Sequence, residues 1–79
     1  MLTSAQWNML KAAARENELY EPTSHLFISR YSLGNPATVL RSLHALIRME
    51  LIYFDFSTEG KKYYKINDLL FRRWVETRE

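Results

Sequence analysis

The strongest constraint on the fold lies in residues 33–36, Leu-Gly-Asn-Pro, and in the amphipathic run that follows them. The side-chain oxygen of Asn35 is suited to cap a helix, and Pro36 suits the first helical position because its missing N–H is not needed there. Gly34 supplies the backbone freedom for a tight turn out of a preceding element. The sequence therefore predicts a central helix over about residues 35–49.

This central helix has two unlike faces. Apolar residues recur at three- and four-residue spacing and form one stripe, which we expect to face the core. They are Val39, Leu40, Leu43, Leu46 and Ile47. At about 100° per residue the opposite face carries small residues and arginines, namely Thr38, Arg41, Ala45 and Arg48, with Ser42 beside them. A face of this kind is suited to lie close to a phosphate backbone or to enter a DNA groove.

Length and composition limit the classes of protein to which this chain can belong. A chain of 79 residues with 47% hydrophobic and 14% aromatic residues predicts one small folded domain over residues 1–79. No apolar run approaches the roughly 20 residues that span a bilayer and no signal-peptide pattern opens the chain, so we expect a cytoplasmic protein without membrane contact. The lack of cysteine excludes disulfides and thiolate metal sites. A net charge of +2 and a pI near 9.1 lean only mildly toward nucleic acid.

Two further helices are predicted before the central one. Thr3 and Gln6 fit a capping box for a helix that runs to about Asn17, in which Trp7 is more typical of a core residue than of a stacking surface. Residues 18–22 break the helical pattern, because the residue before Pro22 is pushed toward an extended conformation. Thr23 or Ser24 then caps a short second helix. The side chains of this helix that we expect to face the core are those of Leu26, Phe27 and Tyr31. Leu33 is expected to be the buried apolar residue of the turn that follows.

A β-hairpin, which we expect over about residues 51–66, follows the central helix. Two aromatic-rich stretches flank a turn at residues 57–60. The candidates for its core-facing side are Ile52, Phe54, Tyr64 and Ile66, although aromatic residues on both sides leave the register open. Lys61 and Lys62 lie near the tip, where lysines either bind phosphate or protect an exposed strand edge from pairing with another strand.

Residues 67–68 then cap a last helix, expected from Leu69 to about Thr77. Its apolar residues are Leu70, Phe71, Trp74 and Val75, and its arginines, Arg72, Arg73 and Arg78, fit a solvated face.

The order of elements resembles the winged-helix superfamily. The resemblance implies a short strand after the first helix, which residues 19–20 could supply. The predicted class is α+β: a winged helix-turn-helix with a three-helix core, a β-hairpin wing and an additional C-terminal helix. A narrower likeness lies in residues 21–24, 27–33, 36–43 and 64–68 and in the ending Asp68-x-x-Phe71-x-x-Trp74. These residues resemble the C-terminal winged-helix domain of prokaryotic AAA-like (archaeal-type, STAND-related) ATPases.

That resemblance implies that the chain is part of a larger ATP-binding protein. The sequence contains no Gly-x-x-x-x-Gly-Lys-Ser/Thr loop, so we expect ATP binding to belong to the parent protein and no cofactor to belong to these residues. His25 and His44 have no cysteine or acidic residue at metal-ligand spacing, so no metal site is predicted. No catalytic grouping stands out, and an enzyme is not expected.

The winged-helix resemblance implies that the central helix enters the major groove of double-stranded DNA. The candidate DNA-binding residues are Asn35, Thr38, Arg41, Ser42 and Arg48 on that helix and Lys61 and Lys62 on the wing. The alternative is a regulatory or protein-interaction domain that docks on the ATPase core or on another protein partner. The dispersed, nearly balanced charges favour this alternative.

Overall fold

Three helices and one β-hairpin make up the described part of the chain, residues 2–69 and Arg72, in a computed structural model. The elements are α1 (Ser4–Glu16), α2 (His25–Tyr31), α3 (Pro36–Arg48), β1 (Ile52–Phe56) and β2 (Lys62–Ile66). β1 and β2 pair antiparallel, and Leu19 bridges Tyr64 through backbone hydrogen bonds of 2.9 and 2.8 Å. The predicted order, with its short strand contact after the first helix, is confirmed. The predicted last helix lies almost entirely outside the described residues.

Each helix begins at a side-chain cap. The Thr3 N–H donates to Gln6 Oε1 at 3.0 Å and the Gln6 N–H donates to Thr3 Oγ1 at 3.1 Å, which completes the predicted capping box. Asn35 Oδ1 accepts the N–H of Thr38 at 2.9 Å. At the start of α2, Ser24 is the cap. Since a cap of this type contributes about 1 kcal/mol, local chemistry fixes where these helices start.

The turn between α2 and α3 is built from left-handed backbone. Ser32 ends α2 with φ 53° and Gly34 follows with φ 95°. A Cβ at Gly34 would meet no atom within 4 Å, so glycine is favoured there by backbone conformation and not by lack of space. Leu33 is buried and its N–H donates to the carbonyl of Ile28 at 3.0 Å. The turn therefore holds α2 and α3 as a helix-turn-helix.

The core forms where α1 crosses α3 and the base of the hairpin closes over both. Its members are Met9, Leu10, Ala12, Ala13, Leu19, Phe27, Ile28, Leu33, Val39, Leu43, Leu46, Leu51 and Ile52. Trp7 and Tyr31 are half-buried at its edge. The expectation that Leu26 faces inward is wrong, because this side chain is 75% exposed. Phe27 and Ile28 supply the buried side chains of this short helix instead.

The buried face of α3 differs from the predicted one. Ser42 and Ala45, expected on the open side, are only 5% and 8% exposed, whereas Leu40, expected in the core, is 38% exposed. The reason is that α1 packs against the side of α3 that carries these small residues. Small side chains let two helices approach closely, just as they let a helix approach DNA. The expectation that Ser42 lies on the open side of α3 is therefore wrong, and its side chain is used for packing against α1.

The hairpin register pairs Ile52 with Ile66 and Phe54 with Tyr64, which puts the four predicted core-facing residues on one face. Only the base of that face is covered: Ile52 is 1% exposed, whereas Phe54 is 47% exposed. The prediction was right about the face. It was wrong about Phe54, because the strand continues past the edge of the core.

Enlarging Ser42 tests the packing of α1 on α3. We expect Ser42→Leu to lower the free energy of unfolding by about 1–3 kcal/mol, because the added methyl groups push the two helices apart. Ala37→Leu makes a similar increase in size on the exposed side of α3 and is expected to stay within about 0.5 kcal/mol of the wild type. Urea unfolding measures both differences, and equal effects of the two variants would contradict the packing described here.

A polar cluster joins α1 to α2. The Tyr31 hydroxyl donates to Glu16 Oε2, and Arg30 Nη1 lies 3.1 Å from the same oxygen. The hydrogen bond from Tyr31, followed by the hydrogen bond and charge of Arg30, lowers the pKa of Glu16 below its ordinary value of 4.5, against the opposing effect of desolvation. The same bond raises the pKa of Tyr31 above its ordinary value of 10.0. The pair therefore holds Glu16 ionised and Tyr31 protonated.

Tyr31→Phe tests this cluster through its pH dependence. A lowered carboxyl pKa stabilises the folded state above pH 4.5, and this contribution is lost as the pH falls through the lowered pKa. We expect Tyr31→Phe to lower the free energy of unfolding by about 1 kcal/mol at neutral pH and by progressively less on acidification. Denaturant titrations at neutral and acid pH measure this. Tyr53→Phe, at an exposed tyrosine of the hairpin, should change stability by less than about 0.5 kcal/mol at either pH.

Candidate nucleic-acid interface

The open side of α3 is a narrow ridge of four exposed residues. Ala37, Arg41, His44 and Arg48 follow one another at spacings of four, three and four, so they lie in one line along the helix. Arg41 and Arg48 are two turns apart, about 10 Å along the axis. We call these four residues the α3 ridge. Leu40 lies along one flank of it.

A groove between α1 and α3 runs along the other flank of the ridge. It has a volume of about 390 Å³. Its lining residues are Thr3, Ala5, Gln6, Thr38, Arg41, Ser42, Ala45 and Arg48, and none of them is acidic. The first turns of α1 and α3 contain no acidic residue either. Arg41 and Arg48 therefore border a groove whose lining contains no carboxylate.

The structure brings four of the predicted site residues together in this groove. Thr38 is half-buried in it, while Arg41 and Arg48 are exposed at its rim. Asn35 is exposed at the start of α3, where its side-chain oxygen is occupied by the cap and its amide group remains a donor. Ser42 lies at the floor of the groove and reaches no open surface.

The wing lysines occupy a different place. Lys61 and Lys62 are both exposed, and they line a hollow of about 490 Å³ together with Tyr20, Glu21 and Glu59. The two glutamates reduce the positive potential there. Loss of solvent around Tyr20 and then the charge of Glu18 raise the pKa of its hydroxyl, so it stays protonated at neutral pH. The lysines therefore do not line the arginine-bearing groove.

Two exposed features escaped the sequence-based prediction. His44, considered from the sequence as a metal ligand and rejected, is exposed and lies on the α3 ridge between the two arginines. Phe54 and Phe56 are 47% and 58% exposed, and the Lys62 ammonium lies 4.3 Å from the ring centroid of Phe54. The register pairs Phe56 with Lys62. Because side chains alternate along a strand, the sequence of β2 already places Lys62 on the same side as Tyr64. This alternation could have predicted the cluster.

Within residues 2–69 and Arg72, no three His, Cys, Asp or Glu side chains are arranged to hold a metal ion. In the same residues no helix has the length and apolar character needed to cross a bilayer. The arrangement that the described residues do offer is a basic helix face beside a hairpin.

Comparison with known proteins agrees with this architecture. A family model described as "Probable winged helix domain" matches residues 1–77. Neither the curated proteins nor the solved structures contain a significant match. The family match spans nearly the whole sequence, and the helix-turn-helix followed by an antiparallel hairpin is the architecture that its description names. The chain belongs to this winged-helix domain family.

Proposed function

We propose that this domain binds double-stranded DNA, with the α3 ridge in the major groove and the hairpin against the backbone. The observation that carries the proposal is the charge of α3. This helix contains no Asp or Glu, and its exposed ridge presents Arg41 and Arg48 two turns apart. A winged-helix domain of this kind offers an α-helix of the right width for the major groove.

The ridge has the chemistry for groove contact. An arginine guanidinium bridges the N7 and O6 atoms of guanine or binds two phosphate oxygens. Ala37 at the start of the ridge is small enough to let the helix approach the base edges, and His44 adds a polar group between the arginines. The free amide of Asn35 and the hydroxyl of Thr38 are suited to phosphate contacts. In this proposal Lys61 and Lys62 bind the phosphate backbone of the DNA, and no covalent bond is made or broken.

The proposal also gives the domain a context. We infer that it is an accessory part of a larger prokaryotic ATP-binding protein of the AAA-like type, located in the cytoplasm. The support is the sequence resemblance, above all the motifs in residues 27–43 and the Asp68-x-x-Phe71-x-x-Trp74 ending. Nucleotide chemistry would then belong to residues outside this sequence, and this chain would supply the DNA contact.

A protein-docking function is the rival, and one observation favours it. Leu26 is 75% exposed on α2, beside a hollow of about 260 Å³ whose lining includes Glu16, Glu18 and Glu21. An exposed leucine with an acidic surround suits a partner with basic and apolar side chains. This surface is separate from the α3 ridge, so the two functions are distinguishable by mutation.

Fluorescence anisotropy with labelled duplex DNA tests the proposal. We expect binding that weakens steeply between about 50 and about 200 mM salt, because contacts to phosphates release counterions. Arg41→Ala/Arg48→Ala should weaken binding at least about tenfold and reduce the slope of log affinity against log salt by about 2. The matched control is Lys11→Ala/Arg15→Ala, which removes the same charge from the exposed surface of α1. It should change affinity less than about threefold.

Three outcomes would contradict the proposal. The first is that the wild type does not bind DNA even at low salt. The second is that the ridge variant binds as well as the wild type. The third is an equal loss in both double variants, which would show that total charge and not the α3 ridge determines binding. Any of these results would favour the protein-docking function of the surface around Leu26.

A further inference from the structure

One face of the hairpin continues beyond the core. The register places Ile52, Phe54 and Phe56 of β1 on the same face as Ile66, Tyr64 and Lys62 of β2. At the base, Ile52 is buried and its neighbours on β2 pack against the core. Toward the tip, Phe54 and Phe56 are exposed by about half of their surfaces. We call Phe54, Phe56, Tyr64 and Lys62 the aromatic wing face.

The side chains of this face form one continuous cluster. The ring of Phe54 contacts Phe56 edge to face, with centroids 6.3 Å apart, and contacts Tyr64 at 6.4 Å. The Lys62 ammonium lies 4.3 Å from the centroid of Phe54 and 5.4 Å from that of Tyr64. These contacts hold a cation directly beside exposed aromatic rings.

The charges of the hairpin are sorted between its faces. Lys62 is the one charged residue among the six that share the face with Phe54. Asp55 lies on the other face of the hairpin, where its cross-strand partner is Tyr63. Its carboxylate accepts a hydrogen bond from the N–H of Phe56 at 2.8 Å. Glu59 lies in the turn. The aromatic wing face therefore presents apolar rings and one positive charge, Lys62, although Glu21 and Glu59 share the neighbouring hollow with this lysine. This combination fits a ligand that is both aromatic and anionic.

The aromatic wing face is also continuous with α3. Phe54 and Ile47 line a common hollow of about 310 Å³ between the hairpin and the end of α3, with Glu50 among its other lining residues. Ile47 directly precedes Arg48, the last residue of the α3 ridge. A nucleic acid that extends beyond the Arg48 end of the ridge toward the hairpin would reach this hollow.

We propose that the aromatic wing face binds an unpaired base of DNA next to the duplex that α3 contacts. The base stacks on Phe54 or Phe56, and Lys62 moves from the ring to a phosphate of the same strand. A nucleotide combines a flat aromatic group with a negative charge, which is the combination that this face complements. The inference rests on the proposed DNA binding, and it predicts a preference for duplexes that carry a single-stranded extension.

Base-free DNA provides the sharpest test. Three labelled molecules are compared by anisotropy: a blunt duplex, the duplex with a short thymine extension, and the duplex with an extension of abasic sites that has the same charge. We expect the wild type to bind the thymine extension at least about fivefold more tightly than the abasic one, since stacking needs the base. Phe54→Leu/Phe56→Leu keeps apolar side chains on the exposed hairpin and should abolish this preference, with blunt-duplex affinity changed less than about twofold.

Tyr63→Leu is the control, because Tyr63 belongs to the opposite face of the hairpin and is not among the residues that line the hollow shared by Phe54 and Ile47. This variant should keep the preference. Equal wild-type affinity for the thymine and abasic extensions would overturn the stacking proposal and leave duplex binding intact. A preference that survives in Phe54→Leu/Phe56→Leu would also overturn it. Failure of the wild type to bind any of the three molecules at low salt would overturn both proposals.

Discussion

The arrangement of this domain depends on the close packing of α1 against α3. Helix α1 contributes Ala12 and Ala13 to the core, and Ser42 and Ala45 of α3 are buried where α1 crosses it. Small side chains on both helices allow this approach. Because one side of α3 is used for α1, Ala37, Arg41, His44 and Arg48 must point outward. The packing that stabilises the core thus also decides which residues are presented to a partner.

The elements that the sequence predicts correctly are set by neighbours in the chain. Thr3 and Gln6 cap α1 across three residues, and Asn35 caps α3 with Pro36 in the first turn. Gly34 has the left-handed conformation that a tight turn needs. Such signals require no knowledge of the tertiary structure. They are sufficient to locate the helix-turn-helix and the hairpin, and so to indicate the winged-helix order.

The residues that the sequence misplaces depend on distant parts of the chain. The pattern of α3 does not reveal where α1 will pack, and a serine or alanine serves a helix contact as well as a DNA contact. The pattern therefore places Ser42 on the open side and Leu40 in the core, whereas the structure buries Ser42 and exposes Leu40. Alternation likewise identifies the face of Phe54 but not where the core ends along the strand. The composition of the candidate site was largely predictable, whereas its orientation required the structure.

The distribution of charge matters more here than the net charge of +2. Glu16, Glu18 and Glu21 line one hollow, while α3 has no acidic residue. A domain with few cations gains limited affinity from counterion release, because that gain grows with the number of phosphates contacted. Stacking of a base on an aromatic ring supplies binding energy without additional charge. In the proposed function the α3 ridge and the aromatic wing face complement each other: the ridge would position the duplex through charge, and the aromatic wing face would add affinity through stacking, which salt weakens little.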